Sequence, residues 1–204
     1  MKTLLLIRSS LLLGNGQSNR LADRYVAAWQ AANPGGRVVV RDLAQNPVPH
    51  LDLARVGAFS TPADQRTPEQ QALVAESDAL IDELQSADVV ALGLPLYNFG
   101  IPSTLKAYFD HIARSGVTFR YTASGPEGLV KGKQVVVFAA RGGLYQGQPH
   151  DTQTPYVRNF LGFLGMTDVR FVFAEGLNMG DEPRADGLRS AESAIDTLLE
   201  PVAA

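Results

Sequence analysis

Short apolar stretches alternate with longer amphipathic stretches along most of the chain. Four short stretches consist almost wholly of aliphatic residues, Ala and Phe, and they span residues 3–7, 89–94, 134–140 and 169–174. Because polar residues hardly interrupt them, they predict strands buried on both faces, as in a parallel sheet. Residues 38–41 are a shorter candidate for a fifth strand.

Between these strands, apolar residues recur every three or four positions, which predicts amphipathic helices. The first helix follows Ser18, carries Trp29 on its apolar face and ends before the turn residues 33–36. Further helices are expected to begin at Thr67-Pro68, at Ser103 and at Pro155, and a last one to run from about Arg184 to Leu199.

Repeated alternation of strand and helix predicts an α/β domain with a parallel sheet, and right-handed crossovers place helices on both faces. We expect a single domain over residues 1–204, with a strand–turn–strand insertion near residues 116–130. Residues 44–66 contain three prolines and form an unusually long connection, which is typical of a functional or covering segment.

Composition and charge narrow the classes of protein. The chain has 204 residues and no cysteine, which excludes disulfides, a thiol nucleophile, zinc–thiolate sites and cysteine-bound iron–sulfur clusters. A formal net charge of −3 supports neither nucleic-acid binding nor a polybasic membrane surface.

The first twenty residues superficially resemble a signal peptide. However, Arg8-Ser9-Ser10 interrupts the leucines, and no cleavage site of small residues follows. No stretch approaches the roughly 20 apolar residues that cross a bilayer. We therefore expect a cytoplasmic protein that does not contact the membrane.

The loop after the first strand is the first candidate site. Residues 8–19 are rich in hydroxyls, amides and glycines and lead into a helix, whose free N–H groups and dipole favour an anion such as a phosphate. Ser10, Gln17 and Ser18 offer side-chain donors. The loop matches neither the dinucleotide-binding glycine pattern nor the P-loop. The alternative is an ordinary loop with Ser18 as helix cap.

Two further loops follow predicted strands. Tyr97 and Phe99 lie between prolines after the third strand, where aromatic rings either face a planar ligand or close the end of the core. Gly142 and Gly143 follow the fourth main strand and either allow a close backbone approach to a ligand or form a simple turn. All three loops would meet at the point where the strand order of a flavodoxin-like sheet, 2-1-3-4-5, reverses, which is where such a sheet binds FMN.

The stretches PLYNFGIPSTLK (95–106), TFRYT (118–122) and GPEGL (125–129) resemble those of the bacterial FMN-dependent NADH azoreductases, which are flavodoxin-like quinone reductases. The resemblance covers nearly the whole chain, including RSSLLLGNGQSN (8–19) and RDLAQNPVPHLD (41–52). It implies a homodimer with one FMN per subunit and with its sites at the dimer interface.

The resemblance also implies roles for individual residues. The cofactor-binding residues it implies are Ser10, Gly16, Gln17 and Ser18 at the phosphate, Leu96, Tyr97, Asn98 and Phe99 at the isoalloxazine ring, and Ala140, Arg141, Gly142 and Gly143 at the pyrimidine edge. The family often has Ser where this chain has Ala140, so a hydroxyl contact is absent. Tyr121 and Phe163 are implied as walls of the substrate side, with Phe163 possible from the partner subunit. No metal site is expected.

The implied activity is the reduction of planar quinones and azo compounds by NAD(P)H through the flavin, as a two-electron hydride transfer. Because one pocket would receive both substrates in turn, ping-pong kinetics are expected. Gly142 and Gly143 would stabilise negative charge on the reduced flavin. No catalytic side chain is required, since solvent can supply protons, although His150 is an alternative proton donor; His111 is expected in a surface or packing role.

Two functions of other classes stay open. A flavodoxin-type electron carrier would use the same cofactor without an organic substrate, but such carriers are usually strongly acidic and this chain is not. A non-enzymatic FMN-binding regulatory protein would show no turnover. A hydride-transfer assay separates all three.

Overall fold

Aliphatic stretches form a five-stranded parallel sheet in the computed structural model, which describes residues 1–199. In chain order the strands are β1 (Thr3–Arg8), β2 (Arg37–Asp42), β3 (Val89–Pro95), β4 (Phe119–Thr122), β5 (Gly125–Gly128), β6 (Gln134–Ala140) and β7 (Asp168–Ala174). The sheet order is β2-β1-β3-β6-β7, so the predicted 2-1-3-4-5 order of the flavodoxin-like fold is confirmed. The predicted domain also includes residues 200–204, which lie outside the described residues.

Helices cover both faces of this sheet. They are α1 (Gln17–Ala32), α2 (Leu53–Ser60), α3 (Pro68–Ser86), α4 (Ser103–Ile112), α5 (Gln153–Leu164) and α6 (Asp181–Leu199). Alternate residues of β1 point to opposite faces, so Leu5 packs with α3, α4 and α5 while Leu4 packs with α1 and α6. Trp29 is buried in the second of these layers, as predicted.

The insertion near residues 116–130 is the predicted strand–turn–strand unit. β4 and β5 pair antiparallel as a separate hairpin, in which Phe119 lies opposite Gly128. Arg120 is exposed and pairs with Glu127 across the hairpin at 2.7 Å. Arg120 therefore carries a solvated charge on the hairpin.

The structure adds one helix that the sequence did not predict and shows that the expectation for one strand was wrong. The long connection over residues 44–66 contains α2, which begins after Asp52, whose carboxylate accepts the Arg55 backbone N–H at 2.8 Å. The surrounding prolines obscured this eight-residue helix. β7 is not buried on both faces, because it is the edge strand beside β6 and leaves Asp168 and Arg170 exposed.

Two helix starts also differ from the prediction. α5 begins two residues before Pro155, which fits its first turn because the N–H groups there lack intrahelical acceptors. α6 begins at Asp181, three residues before Arg184. In the observed first turns of these two helices, Gln153 of α5 and Arg184 of α6 lie close to the carboxyl end of the sheet.

His111 is fully buried on α4, where it joins this helix to the connection before α2. Its Nε2 lies 3.1 Å from the Pro49 carbonyl oxygen, and its own carbonyl accepts the Ser77 hydroxyl at 2.6 Å. Burial lowers the pKa of His111, and the nearby Arg55 acts in the same direction, against the Pro49 hydrogen bond and the Glu76 and Asp110 charges. The packing role is confirmed and a surface role is not.

We expect His111 to make the protein less stable in mild acid. The unfolded chain binds a proton more readily than the folded one, so the stability that the neutral imidazole contributes is present above about pH 6.5 and is lost as pH falls below it. Urea unfolding between pH 7 and 5 should show a smaller loss for His111→Gln than for the wild type. His50→Gln removes an exposed histidine and is the control. An unchanged pH slope in His111→Gln would contradict this account.

Candidate functional site

An open cavity lies at the carboxyl ends of β1, β3 and β6, where the sequence predicted three loops to meet. Its lining residues are Ser10, Leu12, Asn15, Gly16, Gln17, Ser18, Pro95, Leu96, Tyr97, Ala140, Arg141, Gly142, Leu177, Asn178 and Arg184. Most of the predicted cofactor-binding residues are among them. Asn98, Phe99 and Gly143 are not among the lining residues, although Asn98 directly follows Tyr97 and Gly143 directly follows Gly142, which are.

The first wall of the cavity is the turn between β1 and the N-terminus of α1. Gly16 precedes the helix, and Ser18 lies within its first turn, so the alternative of Ser18 as helix cap is wrong. The Ser18 hydroxyl is buried and has no hydrogen-bond partner within residues 1–199. The first backbone N–H groups of a helix also lack intrahelical acceptors. This end of the cavity therefore presents unsatisfied donors, which suit an anion.

The absence of a side chain at Gly16 leaves space for the Ser10 hydroxyl in this wall. A Cβ atom at this position would lie 2.1 Å from the Ser10 Oγ, which itself accepts the Leu12 N–H at 3.3 Å. The Asn19 side-chain amide donates to the Leu13 carbonyl at 2.9 Å and holds the turn against α1. The hydroxyl of Ser10 and the helix N-terminus thus lie side by side because position 16 has no side chain.

The second wall is a tight turn over residues 97–100. The Gly100 N–H donates to the Tyr97 carbonyl at 2.9 Å, and Asn98 and Phe99 have φ angles of 49° and 62°. Left-handed backbone at two successive non-glycine residues costs about 1 to 3 kcal/mol at each. The Tyr97 hydroxyl accepts the Leu11 N–H at 3.2 Å and lies 3.3 Å from the Ser10 Oγ. Tyr97 therefore joins the second wall to the first.

The start of α5 holds this strained turn in place. The buried Gln153 amide donates to the Pro95 carbonyl at 2.9 Å and to the Gly100 carbonyl at 3.1 Å. The Thr152 hydroxyl donates to the Phe99 carbonyl. Sequence reasoning did not single out Gln153. A glutamine in the first turn of a helix gives no local sign that its side chain will reach a distant loop.

The third wall consists of two loops that pair with each other after β6 and β7. The N–H groups of Leu177 and Asn178 donate to the carbonyls of Arg141 and Gly142 at 3.1 and 2.9 Å. A Cβ atom at Gly142 would lie 2.7 Å from the Asn178 side chain, so the paired glycine allows this close packing. The loop after β7 was not predicted to belong to the site, yet it contributes Leu177 and Asn178.

The Arg141 side chain does not present a free charge to the cavity. Its guanidinium is buried and pairs with Asp151 and Glu175 at 3.1 Å each, and it donates to the Thr154 hydroxyl at 2.7 Å. It also lies over the Phe173 ring, 4.9 Å from the centroid. Any contact of this residue with a cofactor would therefore come from its backbone.

Asp151 and Glu175 extend this network to the rim loop over residues 144–152. The Glu175 carboxylate accepts the N–H groups of Tyr145 and Gln146, each at 3.0 Å. Burial by itself would raise the pKa of Asp151, but hydrogen bonds from Thr154 and Arg141 and the Arg141 charge hold it below its usual value. The rim loop is thus held to Arg141 through the carboxylates of Asp151 and Glu175.

The predicted substrate-side aromatics do not line the cavity within one chain. Tyr121 is exposed, and its ring lies 5.6 Å from that of Phe119, which in turn lies 4.4 Å from Phe163. A role for Phe163 from a partner subunit stays a prediction. His150, the alternative proton donor, packs edge-on against Tyr145 at 5.4 Å and does not line the cavity.

No helix within residues 1–199 is long and apolar enough to cross a membrane. The same residues contain no group of three or more His, Asp or Glu side chains placed to hold a metal ion.

Residues 1–199 match the family described as having the flavodoxin-like fold. The chain belongs to this flavodoxin-like family. Over 195 residues it is 60% identical to "FMN-dependent NADH:quinone oxidoreductase 6" of Burkholderia lata, an alignment that covers 96% of this chain and 98% of that protein. The resemblance found in the sequence is thereby confirmed.

Solved structures of flavodoxin-like azoreductases are similar to this chain throughout. An azoreductase from Bacillus anthracis superposes with a TM-score of 0.89 at 27% identity, covering 98% of this chain and 99% of that one. An FMN-dependent NADH-azoreductase from the same species, solved in complex with FMN, gives 0.85 at 25% identity and covers 98% and 100%.

Proposed function

We propose that this flavodoxin-like chain is an FMN-dependent NADH:quinone oxidoreductase that also reduces azo compounds. The relative from Burkholderia lata with this quinone activity in its name is 60% identical over almost its full length, and the similar azoreductase from Bacillus anthracis binds FMN. The observation that carries the proposal is the buried Ser18 hydroxyl beside the N-terminus of α1, which has no hydrogen-bond partner within residues 1–199.

The residues of the cavity fit FMN. Ser10, Gln17 and Ser18 would bind its phosphate, because hydroxyls, an amide and unsatisfied backbone N–H groups converge there. Leu96 and Tyr97 would contact the ring system. When bound, FMN supplies the two-electron chemistry, accepting a hydride from NAD(P)H and reducing the acceptor.

The loop after β6 would tune that chemistry electrostatically. The N–H groups of Gly142 and Gly143 have no acceptor within residues 1–199, whereas the two carbonyls accept bonds from the loop after β7. Donors held in this way stabilise negative charge without reorganisation. We expect them to lie at the pyrimidine edge, together with the Ala140 backbone.

We further propose that NAD(P)H and the acceptor occupy one open face in turn. The Phe99 ring is exposed on the turn that forms the second wall, and it would offer a planar surface to either substrate. Alternating occupancy predicts ping-pong kinetics. With FMN-loaded protein, double-reciprocal plots at several menadione concentrations should be parallel, and intersecting lines would contradict this order.

The working unit that we propose is a homodimer with its sites at the interface. Exposed apolar side chains surround the cavity, among them Leu11, Leu12 and Leu144, and Tyr121 is 74% exposed on the hairpin. Such a concentration of exposed apolar surface favours a protein contact. Analytical ultracentrifugation should give twice the mass of the chain.

Steady-state turnover tests the activity itself. FMN-loaded protein should oxidise NADH when menadione or methyl red is added, and protein without FMN should not. Retained FMN without NADH oxidation would favour the electron carrier or the non-enzymatic FMN-binding protein instead.

The shape of the first wall gives a prediction of its own. Gly16→Ala should weaken FMN binding by about tenfold, a loss near 1.4 kcal/mol, because the new Cβ displaces the Ser10 hydroxyl. Fluorescence titration of FMN measures this. Gly14→Ala is the matched control, since a Cβ there meets nothing within 4 Å. Equal affinities of the two variants would contradict the proposed phosphate site.

A further inference from the structure

Arg184 lies in the first turn of α6, outside the three loops that the sequence predicted to form the site. It lines the cavity and also the neighbouring groove between α1 and α6, together with Gln17 in both cases. One guanidinium nitrogen, Nη1, donates to the Leu177 carbonyl at 3.1 Å. That bond holds the side chain at the cavity and leaves the other guanidinium N–H groups free to donate.

The charges around the cavity make Arg184 distinctive. None of the lining residues is acidic, and Arg141 and Arg184 are the two basic ones. Arg141 is neutralised by Asp151 and Glu175. Arg184 forms no ion pair within the described residues, where its guanidinium is bonded to a neutral carbonyl. The end of the cavity beside Gln17 therefore has an unbalanced positive charge.

Two other observations favour an anion at this same end of the cavity. The Ser18 hydroxyl is buried, lines the cavity and has no partner within residues 1–199. The N-terminus of the sixteen-residue helix α1 contributes unsatisfied N–H groups and the positive end of its dipole. An uncharged ligand would leave both the dipole and the Arg184 charge without a counterpart.

The other arginines nearby are not equivalent. Arg24 is paired with Asp196 at 3.0 Å and with Glu192 at 3.6 Å, and it lines the groove but not the cavity. Arg20 likewise lines the groove and not the cavity. Arg184 is thus the one unneutralised cation that the described residues bring to the cavity itself.

We propose that Arg184 binds the phosphate of FMN through charge-assisted hydrogen bonds and makes the site select FMN over uncharged riboflavin. This inference rests on the proposed function, since it names a charged residue for the cofactor of that same site. Hydrogen bonds between a cation and a phosphate are about twice as strong as neutral ones. One such residue therefore raises the affinity for FMN above that for riboflavin, which has no phosphate.

The test compares two flavins on four proteins. Dissociation constants for FMN and riboflavin are measured by flavin fluorescence for the wild type, Arg184→Gln, Arg184→Lys and Arg189→Gln, at low and high salt. Arg184→Gln should weaken FMN binding by about tenfold and riboflavin binding by less than about twofold, with a shallower salt dependence for FMN. Arg184→Lys keeps the charge and should restore part of the affinity.

Arg189→Gln is the matched control, because Arg189 is an exposed arginine on the same helix, paired with Asp186. It should leave both dissociation constants unchanged. Equal weakening of FMN and riboflavin in Arg184→Gln would assign the residue a structural role and overturn the inference, as would unchanged FMN binding. If the wild type itself binds no FMN, the proposed function fails. If the wild type binds FMN and Arg184→Gln no longer prefers FMN to riboflavin, the result supports the role of Arg184.

Discussion

Arg141→Ala is expected to lower the free energy of unfolding by about 3 to 5 kcal/mol, because it removes one member of a buried ion-pair network and leaves the others uncompensated. The Arg141 side chain is fully buried, and its partners Asp151 and Glu175 are only 8% and 13% exposed. Urea denaturation of the FMN-free protein at neutral pH measures the loss.

A matched control separates the ion pairs from the contact with an aromatic ring. Arg158 lies over the Phe171 ring at 4.7 Å, much as Arg141 lies over Phe173 at 4.9 Å, but it is exposed and pairs with no carboxylate of residues 1–199. Arg158→Ala should change the unfolding free energy by less than about 1 kcal/mol. Similar losses in both variants would contradict the role assigned to the network.

The Arg141 effect should also depend on pH. Because the pKa of Asp151 is lowered in the folded protein, its stabilising contribution is present above about pH 4 and is lost as pH falls through the folded value. The difference between wild type and Arg141→Ala should therefore narrow in acid. A difference that stays constant down to pH 3 would contradict the proposed pairing.

Gln153→Leu is expected to cost about 2 kcal/mol of stability, because two carbonyls of the strained turn lose the amide that they share. Pro95 and Gly100 are those acceptors. Once released, the turn should relax away from left-handed backbone, and turnover with menadione should fall because Phe99 and Tyr97 lose their orientation. Thermal unfolding and steady-state kinetics of FMN-loaded protein measure the two effects.

A second substitution tests the strain directly. Asn98→Gly makes left-handed backbone inexpensive at that residue, so in the Gln153→Leu background it should keep the turn in its original conformation and restore about 1 kcal/mol. Gln148→Leu, an exposed glutamine in the rim loop, is the control and should change little. No recovery in the double variant would show that strain in the turn is not what Gln153 opposes.

The sequence predicted the sheet well where burial is two-sided. β1, β3 and β6 lie in the middle of the sheet, so both faces of each strand are apolar and the pattern is unambiguous. β7 was misjudged because its apolar content resembles that of a central strand, whereas its position at the edge is decided by the order of the whole sheet. α2 was missed because its length is only about two turns.

Some residues of the candidate site were predicted from the sequence and others were not. Ser10, Gly16 and Gly142 were found because hydroxyls and glycines after a strand are local signals of a ligand loop. Gln153, which holds the second wall, and Arg184, which lines the cavity, were not found, because each comes from a helix start that is distant in sequence and is brought there by the packing of α5 and α6. Their side chains have no local pattern that distinguishes them from ordinary polar residues.

The most direct test of the account follows the visible absorbance of the FMN-loaded protein without oxygen. The protein is mixed first with NADH and then, after removal of excess NADH, with menadione. We predict that the flavin bands disappear with NADH and return with menadione, at rates fast enough to account for turnover. A protein that does not retain FMN, or whose flavin bands NADH leaves unchanged, would contradict the proposed function.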